Sequence, residues 1–218
     1  MAKRFDLLVF DWDGTLFDST EAIVRSLQAS CRDLDLPEPS DERASHVIGL
    51  GLTEALRYAA PELTEERLPK LIERYRHHYL SSDGEIELFA GVAELIGDLH
   101  AAGFQLAVAT GKSRKGLDRA LASSRLGDFF AASRCADECF SKPHPQMLEE
   151  LIDEFTVSRE RTLMIGDTTH DLQMAINAGV AGLAVSYGAH PGEALLGLNP
   201  VACVRNVEEL RCWLLENA

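Results

Sequence analysis

The stretch Leu7-Leu8-Val9-Phe10-Asp11-Trp12-Asp13-Gly14-Thr15-Leu16-Phe17-Asp18-Ser19 joins a short apolar run to two acids and a turn. With Phe5 before it, the run Leu7 to Phe10 has the bulk and length of a buried strand. Asp11 and Asp13 follow where that strand ends, and Gly14 frees the backbone to turn. In an open α/β sheet, ligands bind just beyond the carboxyl ends of the strands. Acids placed there suit a hard cation such as Mg²⁺, or one of them can attack phosphorus. An EF-hand loop is the competing reading of Asp-x-Asp-Gly. It would need a preceding helix and a Glu at its twelfth position, which is Ala22 here.

Downstream of this stretch the hydrophobic period changes twice. From Ser19 to about Leu34, apolar residues recur at helical spacing (Ile23, Val24, Leu27, Cys31), with Ser19 or Thr20 as N-cap. Pro37 and Pro39 break the chain. Ser40 to Leu80 reads as further helices, interrupted by Gly49-Leu50-Gly51 and by Pro61. After Phe89-Ala90-Gly91, strand and helix patterns alternate. Strands are expected at Gln105–Ala109, within Phe129–Cys135, and at Thr162–Ile165, Gly182–Val185 and Val201–Val204, with helices between the first four of them and after the last. This alternation predicts an α/β fold with a Rossmann-like parallel sheet. Residues 1–17 and 90–218 would form that core, and residues 18–89 an inserted helical unit.

Composition narrows the partners. A chain of 218 residues with 46% hydrophobic and 26% charged residues is an ordinary globular protein. Its net charge of −14 argues against binding a phosphate backbone, and any phosphate site must supply local positive charge. No apolar run reaches transmembrane length and no leader-like h-region precedes Phe5. Five scattered cysteines lack zinc or redox spacing. A cytoplasmic protein with reduced thiols, nucleic-acid-free and membrane-free, is the expectation.

Four expected strands each hand over to a polar signal: Asp11 with Asp13, Thr110, Lys142, and Asp167 with Asp171. Parallel strands would gather these on one sheet edge, an inventory suited to phosphoryl transfer by positioning and charge neutralisation. Each signal has a plainer explanation. Thr110-Gly111-Lys112-Ser113 mimics a P-loop end, but the loop's first glycine would fall at Leu106. A single lysine such as Lys142 is usually solvated, and Thr168-x-x-Asp171 is also a capping box.

Taken together, Asp11-Trp12-Asp13-Gly14-Thr15, Thr110-Gly111, Lys142-Pro143 and Gly166-Asp167-Thr168-Thr169-His170-Asp171 resemble the four motifs of the haloacid dehalogenase superfamily, in order. The insertion resembles the helical cap of the branch with phosphoglycolate phosphatases, pyrophosphatase-like enzymes and β-phosphoglucomutases. That resemblance implies catalytic roles for Asp11, Asp13, Thr110 and Lys142. Asp11 would be the nucleophile and Asp13 the acid and base. Thr110 and the Gly111 amide would bind the phosphoryl group, and Lys142 would neutralise charge. Mg²⁺ would be held around Asp11, the Asp13 carbonyl and Asp167, with Asp171 orienting them. Leu50, in the Gly49–Leu52 loop, is the expected substrate contact, and Arg43, His46 and Arg57 are candidates for meeting the leaving group. The implied activity is Mg²⁺-dependent hydrolysis of a small phosphorylated metabolite by a monomer or homodimer. The alternatives are a phosphomutase, a pyrophosphatase or a non-catalytic phosphate sensor. A dehalogenase is disfavoured, because family dehalogenases lack an acid at the position of Asp13.

Overall fold

The computed structural model describes residues 3–82 and 86–218. The leader-free reading at Met1-Ala2, and the part of the expected insertion at 83–85, lie outside the described residues. The strand β1 is Leu7–Phe10, and four helices follow: α1 Thr20–Arg32, α2 Asp41–His46, α3 Leu52–Ala59 and α4 Leu68–Ser82. The alternating part then runs α5 Val92–Ala101, β2 Gln105–Thr110, α6 Arg114–Ser124, β3 Ala132–Cys135, α7 Gln146–Phe155, β4 Thr162–Gly166, α8 Thr169–Ala178, β5 Ala181–Val185, α9 Gly192–Leu196, β6 Ala202–Val204 and α10 Val207–Asn217. The expected strands are all present, displaced by a residue or two. The short α9 is an addition to the expected elements, since the sequence reading places none between the strands at 182–185 and 201–204.

All six strands are parallel, in the order β3-β2-β1-β4-β5-β6. The period of two divides the strand residues between the faces. Leu8, Phe10, Leu106, Val108, Leu163 and Ile165 join one apolar cluster, while Leu7, Val9, Ala107, Ala109 and Met164 join the other. Both faces are covered by helices, which is why these strands are almost unbroken runs of apolar residues rather than alternating ones. Helices α1 to α4 close over a cluster of their own, built on Ile23, Leu27, Ala44, Leu56 and Leu71. The chain leaves and re-enters the sheet region side by side: Asp18 N donates to Glu87 O at 2.9 Å, and Phe89 N donates to Leu16 O at 3.0 Å.

Register carries the polar signals to one edge. Phe10 lies level with Val108 on β2 and with Ile165 on β4, so Asp11, Thr110 and Asp167 emerge together from three adjacent strands. Among the described residues, no helix is long and apolar enough to cross a membrane.

Candidate active site

Lys142 arrives on the loop after β3 and is fully buried between two acids. Its Nζ donates to Asp11 Oδ1 at 2.5 Å and to Asp171 Oδ1 at 2.6 Å. Burial works against the ammonium, but Asp11 and Asp171 outweigh it and hold Lys142 above its ordinary range. The solvated-lysine reading is therefore ruled out. Asp171 keeps its capping role as well: its Oδ2 accepts from Thr168 N and Thr168 Oγ1, while Thr168 Oγ1 accepts from Asp171 N. The capping box and the lysine contact use different oxygens of one carboxylate.

Asp167 is equally buried. Its Oδ1 accepts from Thr15 Oγ1 at 2.9 Å and its Oδ2 from Ala189 N at 2.7 Å. Burial first, and Asp171 second, push its carboxyl up to about 7. Asp11 is raised well above the carboxylate range, chiefly by burial and further by Asp171 and Asp167, against the pull of Lys142. Gly14, at φ +81, brings its backbone so near the Asp167 carboxylate that any Cβ would overlap it. One oxygen stands apart. Asp11 Oδ2 is buried without a hydrogen-bond partner.

Asp11, Asp167 and Asp171 offer carboxylate oxygens within 4.8 Å of one another. Three buried acids facing one ammonium leave surplus negative charge, which adds to burial in raising Asp11 and Asp167. A divalent cation with oxygen preference fits this donor set of buried carboxylates.

Asp13 is placed on the cleft side of the same turn. Its Oδ1 accepts from Ser19 Oγ at 2.6 Å and pairs with Lys112 Nζ at 2.9 Å. Ser19 is the N-cap residue of α1 but makes no side-chain cap: its backbone is not in the extended region that capping needs, and its hydroxyl donates to Asp13. Lys112 also donates to Tyr79 Oη on α4 at 2.9 Å. Burial opposes its charge, yet Asp13 and Tyr79 together raise it above its usual range. Thr110 is buried, and its Oγ1 accepts from Lys112 N at 3.1 Å.

The loop between α2 and α3 closes on this edge. A Cβ on Gly111 would lie 2.5 Å from Leu50 O and 2.6 Å from Gly49 O, so only glycine admits the loop. Gly51 N donates to Ser141 Oγ at 2.8 Å, next to Lys142. Leu50 and Gly111 both line a cleft of about 750 Å³ between the inserted helices and the sheet edge, with Asp13 and Lys112 at its inner end. Of the three residues expected at the leaving group, Arg57 lines the cleft but is clamped by Glu65, at 3.0 and 2.8 Å. Arg43 and His46 are absent from its lining. Arg43 lies over the ring of Tyr58. The His46 carbonyl accepts from His170 Nε2 at 2.7 Å and from His190 Nε2 at 3.2 Å, and its ring stacks on His190. Thr169 N donates to His190 Nδ1 at 3.0 Å, which assigns the proton of that ring to Nε2. Burial, then His170, lowers His190 to about 4, so it is a neutral donor.

Sequence reasoning therefore missed Lys112, Tyr79, Ser19, Thr15, Ser141 and His190. Lys112 was within reach: it sits two residues beyond Thr110 and was weighed only as part of a failed P-loop. Thr15 lies inside the first motif but was given no role there, and the others carry no motif of their own.

A family model described as haloacid dehalogenase-like hydrolase matches residues 8–185. The chain is 30% identical to pyrophosphatase PpaX of Halalkalibacterium halodurans over 209 residues, covering 95% of each. It is 29% identical to the phosphoglycolate phosphatase of Vibrio parahaemolyticus over 214 residues, 94% of this chain and 93% of that one. Its fold superposes on the crystal structure of a predicted phosphoglycolate phosphatase from Haemophilus somnus with a TM-score of 0.84, at 25% identity over 99% of each chain.

Proposed function

The chain belongs to the haloacid dehalogenase-like hydrolases, and from that premise we propose that it is a phosphatase that hydrolyses small phosphate monoesters at Asp11 through an aspartyl-phosphate, with Mg²⁺ as cofactor. The observation that carries this reading is the Asp11 carboxylate: one oxygen is pinned by Lys142 and the other is buried, unpartnered and rigidly placed at the end of β1. Asp11 Oδ2 attacks phosphorus, the bond to the leaving oxygen breaks, and Asp13 gives that oxygen a proton. Asp13 then takes a proton from water, the water oxygen attacks phosphorus, and the bond to Asp11 breaks to release inorganic phosphate. Thr110 Oγ1 and the Gly111 amide bind the phosphoryl oxygens, and Lys142 neutralises charge between Asp11 and the substrate. Asp11, Asp167 and the Asp13 carbonyl would hold Mg²⁺, which supplies the remaining positive charge between two anions. Asp171 acts by fixing Lys142, its other oxygen being committed to Thr168.

Residues 18–89 work as a cap over the leaving group, because the Gly49–Gly51 loop seals the cleft against Gly111 and Ser141. Pyrophosphate hydrolysis is the second reading, favoured by the likeness to PpaX. The test is Mg²⁺-dependent release of nitrophenol from p-nitrophenyl phosphate, followed by rapid quench of the Asp13→Asn protein. A burst with phosphate carried on Asp11 is expected, since this leaving group needs little protonation. Phosphate on any other residue would overturn the mechanism, and absence of turnover would overturn the activity.

A further inference from the structure

The cleft is larger than a phosphoryl site needs. It encloses about 750 Å³, within the range of roughly 300–1,000 Å³ that buries a drug-sized molecule. Of the groups assigned to the phosphoryl transfer, only Asp13 and Gly111 line it, beside Lys112. The remaining space lies beyond them, where a leaving group would extend.

The walls of that space are largely apolar and aromatic. The inserted helices bring Leu50, Leu52, Tyr75, Tyr79 and Leu80, and the loop between β3 and α7 brings Phe140. Tyr75 and Tyr79, one turn apart on α4, lie with their rings nearly parallel, centroids 5.9 Å apart. Lys112 fixes the Tyr79 hydroxyl, so that ring is set in place before any ligand enters. Phe140 is 66% exposed and Leu80 47%, and neither joins an apolar cluster among the described residues. The Phe140 ring has only the tilted His144 ring for a stacking partner among the described residues, at 4.7 Å between centroids. One exposed apolar side chain is ordinary; two that border one cleft, one from the inserted helices and one from the core, mark a binding wall. The cleft also carries charge. Lys112 and Arg57 are matched by Asp13 and Glu65, whereas Arg76 and Lys115 make a second anion the competing occupant.

Resting on the phosphatase reading and deepening it, we infer that the cleft takes a leaving group with a bulky apolar body, and that Phe140 and Leu80 select for it. The phosphoryl group is held at Asp11, Thr110 and Lys142, and the apolar body lies outward of Asp13 between α4 and the loop that carries Phe140. Both residues stand apart from the groups that transfer phosphorus, so they set affinity for the leaving group and not the chemistry.

Calorimetry with non-hydrolysable phosphonates at saturating Mg²⁺ tests this without turnover. The probes are methylphosphonate, hexylphosphonate and 6-phosphonohexanoate, the last matching the hexyl chain in length but ending in a carboxylate. A fully buried methylene is worth about fourfold in affinity, and half that is expected against partly exposed walls. Hexylphosphonate should therefore bind at least about tenfold tighter than methylphosphonate. That ratio should hold or grow at high salt, where a preference based on charge would shrink. Phe140→Ser and Leu80→Ser should each cut it roughly two- to fivefold with methylphosphonate affinity unchanged, and Phe140→Leu should keep most of it. Equal affinity for the methyl and hexyl probes, tighter binding of 6-phosphonohexanoate than of hexylphosphonate, or a ratio indifferent to both serine variants would overturn the inference. Chain-length selectivity together with no phosphate release from any monoester would support it and refute the phosphatase activity instead.

Discussion

Replacing Gly111 by alanine isolates the contact between the inserted helices and the sheet edge that carries Asp11 and Thr110. Gly111 needs no left-handed backbone, so the added methyl is tested by space alone. That Cβ would sit 2.5 Å from Leu50 O and 2.6 Å from Gly49 O, both backbone atoms that cannot rotate away. The loop must retreat by several tenths of an ångström, and overpacking of this kind costs about 1–3 kcal/mol. Because the helices α1 to α4 have their own apolar cluster, the strain is relieved by unseating the loop rather than by unfolding. The seated-to-unseated ratio should fall roughly 5- to 150-fold, and kcat/KM falls with it as the unseated form comes to predominate. Hydrogen exchange at the Gly51 amide, now bonded to Ser141 Oγ, should accelerate, while the melting temperature changes by only a few degrees. Gly97→Ala is the control: its Cβ meets nothing within 4 Å in the middle of α5, so it should stabilise by about 0.5–1 kcal/mol and leave kinetics alone. An alanine at 111 with unchanged exchange and unchanged kinetics would refute the reasoning.

Lys142→Met should abolish turnover and strand two buried carboxylates. The expected loss is about 3–5 kcal/mol, read as a melting-temperature drop on the order of 10 °C in chelator. A melting temperature within a degree or two of the parent would show that the ammonium is not what holds Asp11 and Asp171 together. For Asp167, a carboxyl at about 7 binds its proton more tightly in the folded than in the unfolded chain. Its contribution to stability is therefore complete below about pH 4 and lost as pH rises through about 7. Metal-free protein should melt progressively lower from pH 5 to 8, and Asp167→Asn should flatten that slope. Mg²⁺ must displace the same proton, so its stabilising effect should be larger at pH 8 than at pH 6; Mg²⁺ stabilisation of the Asp167→Asn protein as large as that of the parent would remove Asp167 from the cation site.

Local chemistry alone settled a good part of this protein. Short, nearly unbroken apolar runs, Leu7–Phe10 and its counterparts, separated by helical periods, are written by side chains that must be buried on both faces of a parallel sheet. Such a sheet gathers its carboxyl ends on one edge, so Asp11, Thr110, Lys142 and Asp167 could be grouped before any coordinate was known. Their spacing along the chain also carried the family resemblance. Folding decided what period and motif do not encode. Lys142 bridges Asp11 and Asp171 because a loop after β3 crosses the edge, and no local pattern distinguishes it from a solvated lysine. Ser19 reads as a cap in the sequence, but its backbone is not extended as capping needs, and its hydroxyl serves Asp13. His46 was expected in the cleft, but it gives its carbonyl to His170 and His190, residues more than a hundred positions away. Lys112 gained meaning only when α4 brought Tyr79 against it. Contacts between the inserted helices and the core join segments remote in sequence, and their geometry follows from how two separately packed apolar clusters seat against each other.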